Sequence, residues 1–281
     1  MTVALALIAA VLYGAADFIG GLASRKTATV VVVILSQLSG FVVLLAIVPF
    51  MGSRPLTIDL WWGIAGGAFG AVGIVLLYRA LAIGRMGIVS PVTAVIAAVI
   101  PVLFSITIGE RPSILAWCGI ALAILAVVLV SMHDPGTGQG ARGPLGMPIG
   151  VPTAILSGVT LGFFFIVLAK VQPISGLYPL LSARIASVAA LTVVAFVRRI
   201  PIRVTRSALP AILFSGALDM AANSLFVIAA HQGLIAIAAV LTSLYPASTV
   251  ALAAIVLHER LARTQWIGVA LALIGVVLVA R

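Results

Sequence analysis

Ten apolar stretches, each about long enough to cross a bilayer, follow one another with little but short turns between them. A span needs roughly 20 apolar residues at 1.5 Å rise to cross a hydrocarbon core about 30 Å thick. Ten such spans use roughly 200 residues of a 281-residue chain, leaving too little for a water-soluble domain. Composition agrees, with 63% apolar and 8% charged residues and a mean hydropathy of +1.34. A soluble chain of this size must cover its surface with polar groups, and this one cannot.

The expected spans are Val3–Leu22, Val30–Phe50, Leu60–Ile83, Val89–Ile108, Ile114–Met132, Ile149–Ala169, Leu177–Val197, Ala208–Ala230, Leu234–Leu257 and Thr264–Ala280. All are read as helices, because only helices and closed barrels satisfy backbone polar groups in hydrocarbon, and these runs lack strict alternation. The first span has no basic flank and carries Asp17 inside it, so it is read as a mature helix and not a signal peptide.

The sequence divides at a Gly/Pro-rich connector, 133–148, into two five-span units, 1–132 and 149–281. The units resemble one another. Glu110-Arg111, Trp117 and Gly119 recur as Glu259-Arg260, Trp266 and Gly268 at a constant offset of 149, which also relates Ala80 to Ala229 and Gly84 to Gly233. Five is odd, so two copies in one chain enter the membrane in opposite directions. The result is a pair of inverted repeats, an architecture associated with secondary transporters, whose halves can rock about a midplane site.

These motifs resemble the EamA-like transporters of the drug/metabolite transporter superfamily: the Glu-Arg pair before the last helix of each half, the Trp-x-Gly that follows, and Pro246 lying 13 residues before Glu259. The first half departs, with Ala97 at the position equivalent to Pro246. The resemblance implies a carrier of the bacterial cytoplasmic membrane that exports amino acids, metabolites or drugs. It also implies that the fifth and tenth helices lie outside a cavity lined by the other eight.

Intramembrane charges point to chemistry, because each costs about 3 kcal/mol or more at the bilayer centre. Arg184 in the seventh span and Asp219 in the eighth lie roughly 21 and 18 Å from their shared loop, close enough in depth to pair. Asn223 shares a helical face with Asp219. Gln37, with Ser36 and Ser39, adds polar lining from the second span. Asp17 has no local partner, since Arg25 stands about 12 Å along the axis. Such a carboxylate suits proton coupling or a cationic substrate, and resembles the acidic residue in the first helix of small multidrug carriers. Tyr13 lies one turn before Asp17, and Tyr245 stands beside Pro246. Pro101 and Pro246 are expected hinges inside helices, while Pro91 is expected to start one, capped by Ser90. Glycines 63, 66, 67 and 70, and 158 with 162, give small-xxx-small helix contacts.

The one cysteine, Cys118, excludes an internal disulfide, and the three histidines are scattered. No metal-ligand, nucleotide-binding or catalytic motif is present, so neither cofactor nor enzymatic activity is expected. An intramembrane protease using Asp17 and Asp219 lacks its sequence context, and an arginine at the depth of Asp219 opposes a proton shared between carboxylates. The net charge of +10 is dispersed over loops and points to topology, not nucleic acid. Of the loop cations, eleven fall on one side of the span plan and only Arg54, Arg111, Lys170 and Arg281 on the other. Read literally, the positive-inside rule makes the richer side cytoplasmic and places both termini outside, whereas the resemblance implies termini in the cytoplasm, and the two leave the orientation open. The expected partners are the lipid bilayer, a small-molecule substrate and protons. Multidrug efflux, or lipid flipping and a non-transporting partner role on the same fold, are the alternatives.

The odd span count has a direct consequence. In a Cys118→Ser chain, Thr2→Cys and Gly140→Cys react with a membrane-impermeant thiol reagent from opposite sides. Labelling of both from one side rules out the inverted arrangement.

Overall fold

The computed structural model describes residues 2–50, 52–107, 109, 113–131, 146–231, 242 and 244–279. Among them run ten α-helices: α1 Thr2–Ala23, α2 Thr29–Ile47, α3 Thr57–Ile83, α4 Met86–Thr107, α5 Ile114–Ser131, α6 Val151–Leu168, α7 Tyr178–Val197, α8 Leu209–His231, α9 Tyr245–Val256 and α10 Arg263–Val279. Seven, α1–α4 and α6–α8, contain runs long and apolar enough to cross a membrane, and α5, α9 and α10 carry shorter apolar runs. Most of the connector, the Glu110-Arg111 pair and 234–241 of the expected ninth span lie outside the described residues. Large apolar side chains such as Val42 (64% exposed) and Ile255 (71%) point outward. A lipid-solvated surface carries no cost for them.

Proline positions revise two expectations. Pro91 does not start α4, which begins at Met86 and contains both Pro91 and Pro101. Its cap comes from elsewhere in the chain: the Glu259 carboxylate accepts hydrogen bonds from the Met86 and Gly87 amides at 3.1 and 3.0 Å. Ser90 therefore caps nothing, and its hydroxyl is buried without a partner among the described residues. Pro246 lies in the first turn of α9, where the missing N–H removes no helical bond. Of the two expected hinges, Pro101 stands in the interior of a described helix and Pro246 in the first turn of one.

The halves of the sequence do not form two separate lobes. The most extensive contacts pair α5 with α10, α1 with α8, α3 with α6 and α7, and α4 with α6, followed by α2 with α8 and α1 with α9. All of these cross from 1–132 to 149–281. Helices α1, α2, α8 and α9 form one body, and α3, α4, α6 and α7 the other. The two sequence halves are thus interleaved in the packing.

Backbone approach explains the interleaving. A Cβ on Gly67 of α3 would lie 2.9 Å from the Ala183 Cα of α7, and one on Gly216 of α8 would lie 2.7 Å from the Ser36 Cα of α2. Between lipid-solvated helices no hydrophobic force drives association, so close van der Waals contact and polar bonds must supply it. At the start of α3, Asp59 Oδ2 accepts from Ser175 Oγ at 2.6 Å and from the Gln172 amide at 3.2 Å, fixing α3 to the α6–α7 connection.

Gly216→Ala should cost about 1–3 kcal/mol, because backbone, which cannot yield, stands in the way. Gly66→Ala, whose Cβ would meet only side chains at 3.6 Å or more, should be neutral or slightly stabilising. Thermal unfolding of the purified variants in one detergent separates the two.

Candidate functional site

Because α3 and α8 are drawn against α7 and α2, a narrow cavity of about 10 Å³ lies between the four, lined by Ser36, Gln37, Ile74, Tyr78, Arg184, Gly216 and Asp219. Helices α5 and α10 contribute nothing to this lining and pack on each other and on α4. The outer pair stays outside this cavity as expected, but four helices, α2, α3, α7 and α8, line it instead of the expected eight.

Arg184 is the centre of the site. Its guanidinium donates one N–H to Gln37 Oε1 and another to Asp219 Oδ2. The equal depths of Arg184 and Asp219 deduced from the spans are therefore realised as an ion pair. Both side chains are largely buried, at 14% and 20% exposure. Asn223, one turn beyond Asp219, donates to the Asp219 backbone carbonyl at 2.8 Å and more weakly to its carboxylate at 3.4 Å. Three helices thus meet at one cation. Gln37 belongs to α2, Arg184 to α7 and Asp219 to α8, so the bridge ties the two interleaved bodies at mid-depth.

Asp17 lies beside this network without joining it. Its side chain is buried and makes no hydrogen bond or ion pair with the described residues, although it stands within electrostatic reach of Asp219. Tyr13 and Tyr245 flank it, their ring centroids 6.3 Å apart and tilted at 59°. The contact depends on α9 lying against α1, which Gly14 permits, and Thr249 donates its hydroxyl to the Gly14 carbonyl at 3.1 Å. The site is therefore two adjoining parts: a compensated guanidinium, and a carboxyl that bonds no described residue and stands near two phenols.

Three lining residues, Ile74, Tyr78 and Gly216, were not singled out beforehand. Tyr78 sits beside Arg79 near the end of its span and reads as interfacial. In the structure it is buried, and its ring crosses α1 at Gly20. Gly216 carries no side-chain chemistry, yet it stands at the offset of 149 from Gly67 and makes the corresponding helix crossing. That offset was the available signal. Ser39, expected as lining, instead donates to the Leu213 carbonyl of α8 at 2.7 Å. Pro101 and Pro246 do not line the cavity.

Asp219→Leu should destabilise the fold by about 3 kcal/mol, because it leaves a buried guanidinium uncompensated. The paired change Arg184→Met with Asp219→Leu should recover most of that loss. Melting of the two variants and the unaltered protein in one detergent checks the order; equal melting temperatures for the single and paired changes would refute it.

The model of the EamA-like transporter family matches residues 1–132 and again 148–281. A solved structure titled only "Crystal structure of protein" covers 99% of this chain and 95% of its own at 15% identity, with a TM-score of 0.65. At that identity the likeness is one of fold. No curated protein matches the chain. The chain belongs to the EamA-like transporter family and is a multi-pass membrane transporter of the drug/metabolite type.

Proposed function

We propose that the protein is a ten-span secondary carrier, built as inverted repeats over 1–132 and 149–281 with 133–148 joining them. It exports small metabolites such as amino acids across the bacterial cytoplasmic membrane by alternating access. The observation that carries this reading is the polar cavity between the interleaved bodies, bridged at mid-depth by Arg184 to Asp219 and Gln37. A charged, bonded network in lipid costs too much to be kept for packing alone when apolar contacts serve equally well.

Helix pairing supports the repeats. Adding five to the helix number turns α1 on α8 into α6 on α3, α1 on α9 into α6 on α4, and α2 on α8 into α7 on α3, while α2 with α7 and α5 with α10 map onto themselves. Trp117 and Trp266, half exposed near the starts of α5 and α10, suit aromatic anchors at opposite membrane interfaces.

The chemistry of the two adjoining parts suits a zwitterion. Arg184 can receive a carboxylate once Asp219 yields it, and Asp17 can receive an ammonium or a proton. The phenols of Tyr13 and Tyr245 around Asp17 also favour a second reading, efflux of cationic aromatic drugs. In proteoliposomes, counterflow of labelled amino acids supports the first reading, and uptake of cationic dyes without it supports the second. Asp17→Asn should abolish the acceleration of transport by an imposed pH gradient. Undiminished acceleration in that variant would remove proton coupling at Asp17.

A further inference from the structure

The Arg184 bridge is not the only tie across the seam between the bodies. At the membrane face that carries the α1–α2, α3–α4 and α9–α10 connections, a second polar cluster joins them. Glu259, before α10, places both carboxylate oxygens on α4: Oε1 accepts from the Met86 amide and Oε2 from the Gly87 amide. These are two of the orphan donors that every helix start must satisfy, and the positive end of the helix dipole favours a carboxylate there. Arg25, from the α1–α2 connection, stands 3.8 Å from the same carboxylate. Arg85 donates to the Arg260 carbonyl and, at 3.4 Å, to Gln265, whose amide oxygen also accepts from the Ala262 amide at 3.1 Å.

Residues next to this cluster in the sequence are poorly satisfied. The hydroxyls of Ser24 and Thr27, flanking Arg25, and of Ser90, three residues beyond Gly87, are buried with no partner among the described residues. Buried hydroxyls without partners are costly. They gain water if the face parts, so the closed seam depends on the polar cluster above it to stay shut.

The sequence makes this closure one-sided. At the offset of 149, Glu259 corresponds to Glu110, but Arg85 corresponds to Leu234 and Arg25 to Ile174. The glutamate recurs at the offset, and the two arginines that accompany Glu259 do not.

We propose that Glu259, seated on the first two amides of α4 and supported by Arg25 and Arg85, is a latch that closes this face and biases the carrier towards opening at the opposite one. The inference rests on the alternating-access reading, but its test needs no substrate. In a Cys118→Ser chain in proteoliposomes, Ser90→Cys is the reporter, and its reaction rate with a membrane-impermeant methanethiosulfonate is the measurement. Glu259→Gln should raise that rate roughly threefold to fivefold, the population shift expected from removing a charged cap. Arg85→Leu, which copies the residue at the corresponding position, should raise it by a smaller factor. Melting transitions in detergent should persist for both variants. Unchanged labelling in both variants overturns the latch, as does a rise that comes only with loss of the melting transition. Labelling that switches in a protein that moves no amino acid would overturn the cargo and leave the latch standing.

Discussion

The close approach of backbones at Gly67 and Gly216 is the constraint on which the rest of this molecule depends. Helices solvated by lipid gain nothing from hydrophobic association, so they hold together only where surfaces fit closely or polar groups meet. These two glycines let α3 lie against α7 and α8 against α2. Interleaving of the halves follows from those crossings. So does the cavity, whose lining comes from the four helices that the crossings bring together.

Within that frame the chemistry is not duplicated. At the offset of 149, Asp17 corresponds to Ile166, Gln37 to Ala186, Arg184 to Leu35, Asp219 to Gly70, Asn223 to Ile74 and Tyr245 to Ile96. Every charged or hydrogen-bonding group of the site has an apolar or glycine counterpart. The matched positions, such as Gly67 with Gly216, shape the scaffold, and the unmatched ones give its pocket its polar groups. A cavity lined identically from both copies would bring two guanidinium groups or two acid pairs to one place, at a desolvation cost without compensation.

The same asymmetry recurs at the membrane face. A carboxylate on a helix start is a modest interaction when exposed to water and salt, worth a few tenths to one kcal/mol. Its influence here comes from position, since it joins connections belonging to both bodies. Mid-depth bridge and surface latch cross the same seam. A conformational change that parts the bodies at that face must exchange the bonds of Glu259, and one that reshapes the pocket must exchange those of Arg184.

Hydropathy alone determined that this chain lies in a membrane as a series of helices, because backbone groups in hydrocarbon have few other solutions. Residue spacing along those helices was enough to set Arg184 and Asp219 at one depth, since rise per residue is fixed. Family membership was legible in short motifs around Glu110 and Glu259. Other features depend on partners distant in the chain, and no local pattern encodes them. The start of α4 escaped because its cap arrives from Glu259, more than 170 residues away. Tyr78 escaped because the pocket that buries it is completed by α2, α7 and α8. Which helices pair, and hence which bodies can move, was decided by backbone approach at small residues, a property of two surfaces together that neither strand of sequence carries by itself.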